Sequence, residues 1–208
     1  PDGKMQAYQI KYTFGHYPLQ QYLVELEEGR LQTLALTWNS LDSNWYYMAD
    51  SVYGDMSVNH ANWLHWSNQS QNWNSMCADC HSTNLQLGFD IETNSYHTTY
   101  SEIDVNCEAC HGPASEHLKW ADKPIYLRTS DLSWGLSVQT SNIDNEAYVN
   151  LCARCHSRRS AFTDYQPHNQ SIYNHMLPVL PVEPLYHIDG QILEEDYVFA
   201  SFTQSKMF

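Results

Sequence analysis

Three short stretches share one arrangement of reactive side chains: "CADCH", "CEACH" and "CARCH", beginning at residues 77, 107 and 152. Each sets two thiols three residues apart and places a histidine directly after the second. Thiols at i and i+3 lie on one face of a helical turn, where they can add to the two vinyl groups of one porphyrin. The histidine at i+4 continues that face and brings an imidazole under the iron. C-x-x-C-H is the attachment signature of c-type haem. One isolated copy could equally be half of a zinc site or a thioredoxin-like redox pair. Three copies weigh against both, because three Cys-Cys-His triplets do not divide into sets of four zinc ligands and a thioredoxin pair belongs to a single βαβ unit. All six cysteines, Cys77, Cys80, Cys107, Cys110, Cys152 and Cys155, are used in this way, leaving none for a disulfide framework. The reading is three covalent haem c groups with His81, His111 and His156 as proximal ligands.

Each iron has a second axial position, and the eleven histidines leave eight beyond the proximal three. His117 lies in "PASEHLKWA", where Pro113 suits the first residue of a new helix that carries the imidazole away from its own haem toward a neighbouring one. His65, in "NWLHWSNQSQNWN", and His187, in "PLYHIDGQI", sit among aromatic and apolar residues, and His175 follows in "YNHMLPVLP". Met176 could replace an imidazole and raise the potential, although a methionine there more often packs. His16, His60, His97 and His168 lie in polar or turn-like sequence and read as structural or exposed. Arg154, Arg158 and Arg159 gather around the third motif, either as propionate partners or as charge at a helix C-terminus.

The elements that must position these groups are sparse. The chain has 208 residues, enough for one domain or two small ones, and much of its apolar content is 15 Tyr and 7 Trp. Acidic residues outnumber basic ones by 24 to 10, for a net charge of -14, which argues against a nucleic-acid partner. No apolar run approaches the roughly 18 to 20 residues of a transmembrane segment, and Pro1-Asp2-Gly3-Lys4 does not resemble a signal peptide. Residues 1–43 alternate apolar and polar, with Tyr22, Val24 and Leu26 on one face, then a Glu-Glu-Gly-Arg turn, and predict a β-hairpin or meander. Residues 44–208 form the haem-binding region. Loops and short helices are expected from about 44 to 74, with Trp63, Trp66 and Trp73 packing in the core. Short helices ending in the histidine are expected at each motif. A small hairpin is expected over 90–99, an irregular connection over 123–140, and a strand-like "QILEEDYVFASF" near the end. The fold class is that of a multihaem cytochrome c: sparse short helices and loops wrapped around haems, with a β-rich N-terminal segment.

The stretches "YTFGHYPLQQYLVELEEGRLQTLALTWN", "QNWNSMCADCHSTN", "EIDVNCEACHGPASEH", "CARCHSRRS" and "LYHIDGQI" followed by "SFTQSKM" resemble multihaem cytochromes of the tetrahaem ammonia-oxidation type. More closely, they are similar to tetratricopeptide-repeat proteins with doubled C-x-x-C-H motifs. The resemblance implies that His117, in the "CHGP-x-x-x-H" run, and His187, in "LYH-x-DGQ", are distal ligands. It also implies further haem motifs before "YTFG" and after "QSKM", as in the middle portion of a longer polypeptide. Function is expected to be single-electron relay through three bis-His haems, without enzymatic activity. Redox partner proteins would dock through a basic face, and other cytochrome subunits could be partners too. The alternatives are a reductase or oxidase of a small nitrogen or sulfur compound with one open haem, and a subunit of a larger cytochrome complex or filament. Covalent haem attachment implies a periplasmic or extracellular location.

Overall fold

The computed structural model describes residues 6–131, 133–164, 170–194 and 197–208. Along the chain, strands β1 (Ile10–Phe14), β2 (Leu19–Glu25), β3 (Leu31–Thr33), β4 (Leu36–Asn39) and β5 (Asn44–Tyr47) precede two short helices, α1 (Met48–Tyr53) and α2 (Trp73–Met76). Four two-residue strands follow: β6 (Ser82–Thr83), β7 (Phe89–Asp90), β8 (Ser95–Tyr96) and β9 (Glu102–Ile103). Then come α3 (Cys107–His111), α4 (Ser115–Ala121), α5 (Asn145–His156), β10 (Arg159–Ala161), β11 (Met176–Pro178) and α6 (Val198–Thr203). Among the described residues no helix is long and apolar enough to cross a membrane.

The chain divides into two compact units, one of residues 1–79 and 87–99 and the other of 80–86 and 100–208. In the first, β1 to β5 form an antiparallel sheet in the order β1-β2-β4-β5, with β3 also paired to β2. The alternation in the N-terminal segment is thus realised as strands β1 to β4, whereas β5 at Asn44–Tyr47 is a strand where the sequence predicts loops and short helices, because it pairs with β4. β2 buries Tyr22, Leu23 and Val24 in succession, so both faces of this central strand are covered rather than the single face that alternation predicts. Burying side chains of this size contributes about 1.5–3 kcal/mol each. The hairpin expected over 90–99 is β7 paired with β8.

In the second unit regular structure is thin. β6 pairs with β9, β10 pairs with β11, and a small core gathers Ala153, Ile172 and Met176 with Phe199 against them. Met176 is fully buried there, the packing role expected of it. The sequence predicts a strand over 191–202, whereas Val198–Thr203 is helical and buries Ala200, a helix face being what brings Phe199 and Ala200 to the core. Of the three tryptophans expected in the core only Trp73 is buried; Trp63 is largely exposed.

Candidate haem-attachment sites

The first motif follows α2, which is tied to the sheet by asparagines. Asn72 caps the helix, its side chain accepting from the Ser75 N–H at 3.0 Å. The buried Asn74 accepts from the Leu31 N–H at 2.7 Å and donates to Thr98 Oγ1 at 2.9 Å. A helix ending at His81 is not what forms. α2 stops at Met76, and the Cys77 and Ala78 N–H groups both return to the Trp73 carbonyl, at 3.1 and 2.8 Å. Pairing of Ser82–Thr83 with β9 then draws the following residues into extended structure. Cys77 belongs to the first unit and Cys80 and His81 to the second.

The second motif is a single helical turn, α3. Asn106 caps it by accepting from the Glu108 N–H at 2.9 Å, and the turn closes at Gly112. Gly112 has φ +68°, and a Cβ there would run into Ser137 Oγ and Val138. That close approach lets Val138 N–H and Ser137 Oγ donate to the His111 carbonyl at 3.2 and 3.3 Å. Cys107 and Cys110 are exposed, while His111 Nδ1 is buried without a hydrogen-bond partner.

The third motif ends the longest helix, α5, whose N-cap Asp144 accepts from the Ala147 N–H at 2.7 Å. Ala153 faces the Met176 core, which leaves Cys152 exposed and Cys155 half-buried. The Cys152 thiol is pushed up in pKa by desolvation first and by neighbouring Cys110 second. Across the same unit, Cys80 Sγ lies 3.5 Å from the Cys155 carbonyl, and Arg159 Nη2 lies 3.7 Å from Cys80 Sγ. Parts of all three motifs therefore meet at α5. An open cavity of about 510 Å³, lined by Ser137, Val138, Ile143, Ala147 and Leu151 among others, flanks it.

The candidate distal histidines differ in which ring nitrogen is left free. His117 Nδ1 lies 2.7 Å from the Trp134 carbonyl, which can only accept, so Nδ1 carries the proton and Nε2 keeps its lone pair. His65 has the reverse arrangement: its Nδ1 accepts from the Ser67 N–H at 3.3 Å and faces Ser67 Oγ at 2.9 Å. Burial, and then the charge of His60, lower its pKa. His175 directs Nε2 at Gln170 Oε1, 3.2 Å away, and has a buried Nδ1 without a partner. His187 is exposed beside Asp189, whose carboxyl is held below its usual range by the Gln191 N–H and side chain and, more weakly, by His187. His81 and His156 are exposed, as are His16, His60 and His97; His168 lies outside the described residues.

Two supports of the site have no counterpart in the sequence reading: Arg159 reaching the first motif's sulfur, and the Asp131 contacts to Ser133 and Gly135 on either side of the Trp134 carbonyl. The pattern Asp131-x-Ser133-x-Gly135 is a signal for such contacts. Among the described residues, no three His, Cys, Asp or Glu side chains gather as ligands of a metal ion would. Two thiols and one imidazole per triplet is instead the donor set of covalent haem.

Comparison with known proteins gives two findings. Residues 44–112 match the family model of cytochrome c554 and c-prime, a third of the chain that contains the first two motifs. The crystal structure of the outer cell wall cytochrome OcwA is similar at a TM-score of 0.41 and 16% identity, over 88% of this chain and 30% of that one. The chain thus spans less than a third of that protein's length. No curated protein matches it.

Proposed function

We propose that this chain is a multihaem c-type cytochrome that relays single electrons through three covalently attached haems. The observation that carries the reading is the threefold C-x-x-C-H donor set, with none of the six cysteines in a disulfide and half of them exposed. The match of residues 44–112 to a cytochrome family supports it. So does the surface within the second unit, where Leu118, Ile125 and Tyr126 are largely exposed. A polypeptide with so little self-made core fits one completed by cofactors.

Cys77 and Cys80, Cys107 and Cys110, and Cys152 and Cys155 would form the thioether bonds, with His81, His111 and His156 as proximal ligands. The buried, unpartnered His111 Nδ1 is a polar atom of the kind that calls for a partner outside the polypeptide. His117 leads the distal pool because its Nε2 is free; His187 follows, then His65 and His175, whose rings would have to exchange their present hydrogen bonds. When bound, haem iron supplies a one-electron couple, and imidazoles on both faces keep small molecules off the metal. The net charge of -14 suits a redox partner with a basic docking face and a rate that falls as salt rises. Covalent haem attachment fits a periplasmic or extracellular location.

Low-temperature EPR of the oxidised protein, with optical spectra of the reduced form before and after carbon monoxide, tests this. Low-spin signals alone and no CO shift are expected. A high-spin signal with a CO-sensitive band would overturn full bis-His ligation and turn attention to nitrite or hydroxylamine as substrates at the open iron.

A further inference from the structure

We propose that Asp131 is a positioning residue for the His117 imidazole, acting through the turn that presents the Trp134 carbonyl. The inference rests on His117 being an axial ligand. Asp131 Oδ1 accepts from the Ser133 N–H at 3.1 Å, the Ser133 hydroxyl at 2.7 Å and the Gly135 N–H at 3.4 Å, and Oδ2 accepts from the Thr129 hydroxyl. One carboxylate thus gathers four donors from Thr129, Ser133 and Gly135. The loop passes through Trp134 at φ 51°, in the left-handed region that a tryptophan rarely adopts.

Gly135 then lies directly on α4. A Cβ at Gly135 would meet the Glu116 carbonyl oxygen at 2.9 Å and Trp120 Cβ at 3.1 Å. This seating brings the Trp134 carbonyl to His117 Nδ1. The Trp120 ring stacks on the same imidazole, at 5.7 Å between centroids and 21° between planes, and its indole N–H donates to the Thr129 carbonyl at 3.0 Å. The ring is therefore held by tautomer and by orientation, and both devices return to the Asp131 loop. Outer partners of this kind tune a ligating histidine by orienting it. Without the carboxylate, Trp134 is free to leave the left-handed region and withdraw the carbonyl.

The test uses the full-length, haem-loaded protein, reading CO binding to the reduced form and high-spin EPR signal in the oxidised form. Four variants are compared with wild type: H117A, D131A, D131N and D90A. Asp90 makes a comparable turn, accepting from Glu92 N–H and the Thr93 hydroxyl, with no candidate ligand attached. H117A is expected to open one haem to CO. D131A is expected to speed CO binding at that same haem about tenfold or more, D131N less because it keeps one acceptor oxygen, and D90A not at all. If H117A opens a haem while D131A and D131N behave as wild type, the Asp131 role is overturned and the His117 reading stands. If H117A itself stays closed, the His117 reading falls and the proposal with it. An equal effect of D90A overturns the proposal as well, by showing general loosening. Should D131A fail to load haem, D131N decides between these outcomes.

Discussion

Strand β2 buries Tyr22, Leu23 and Val24 within its own unit, whereas α4 leaves Leu118 62% exposed and the turn after it leaves Ile125 and Tyr126 at 81% and 82%. The centre of the sheet, at β2 and β3, is closed by its own side chains, while the outer strands leave Ile10, Trp45 and Tyr47 exposed; backbone groups are paired strand to strand. Around the second and third motifs the chain offers apolar surface and thiols without closing over them. Order there comes from caps, turns and single carboxylates. The difference is expected if porphyrin faces complete the second region's core and nothing foreign completes the first.

The strongest way to break that contrast is to remove one haem's anchors. C107S/C110S is expected to lose one haem mass of three by intact mass spectrometry and to lower the melting temperature of the second unit. A protein that drops the haem and keeps its melting profile would show that haems are not its core. G112A comes next. It forces a side chain into a left-handed position against Ser137 and Val138, for a cost of about 2–4 kcal/mol, read as a shifted denaturation midpoint with reduced haem loading. N74A probes the other region. It strands the buried Leu31 N–H and is expected to cost about 1–3 kcal/mol, with all three haems retained; haem loss in N74A would mean that the sheet is coupled to attachment.

The smallest effect is a pH dependence. Hydrogen bonds from Thr129 and Ser133 lower the Asp131 carboxyl from the ordinary 3.8 to about 2. A folded-state pKa below the unfolded one stabilises the fold above the unfolded value, and that stabilisation disappears as pH falls through the folded value. The stability gap between wild type and D131N should therefore be full at neutral pH and close between about pH 4 and pH 2. A gap that persists unchanged to pH 2 would remove the carboxylate's charge from the account.

Several elements were legible because their causes are local. The helices at Cys107–His111 and Asn145–His156 follow from caps at Asn106 and Asp144 written directly before them. Strands β1 to β4 follow from alternation, while β5 was not legible because its pairing with β4 decides it. The first motif was misread as helical because its helix is ended by β6 pairing with β9 some twenty residues later, which a local window does not contain. The C-terminal strand was misread because a short apolar run fits either period until a core selects one.

The candidate haem donor set is legible in sequence alone, since the two thiols and the imidazole proposed for each porphyrin lie within five consecutive residues. The charge of -14, with its consequence for partners, needs no fold either. Which ring nitrogen each candidate distal histidine leaves available was decided by tertiary structure. His117 and His65 are the same side chain, distinguished by whether Nδ1 meets a carbonyl seventeen residues away or an N–H two residues away. A ring's tautomer is set by whatever group the fold places beside it, and that neighbour is not written next to it in the chain.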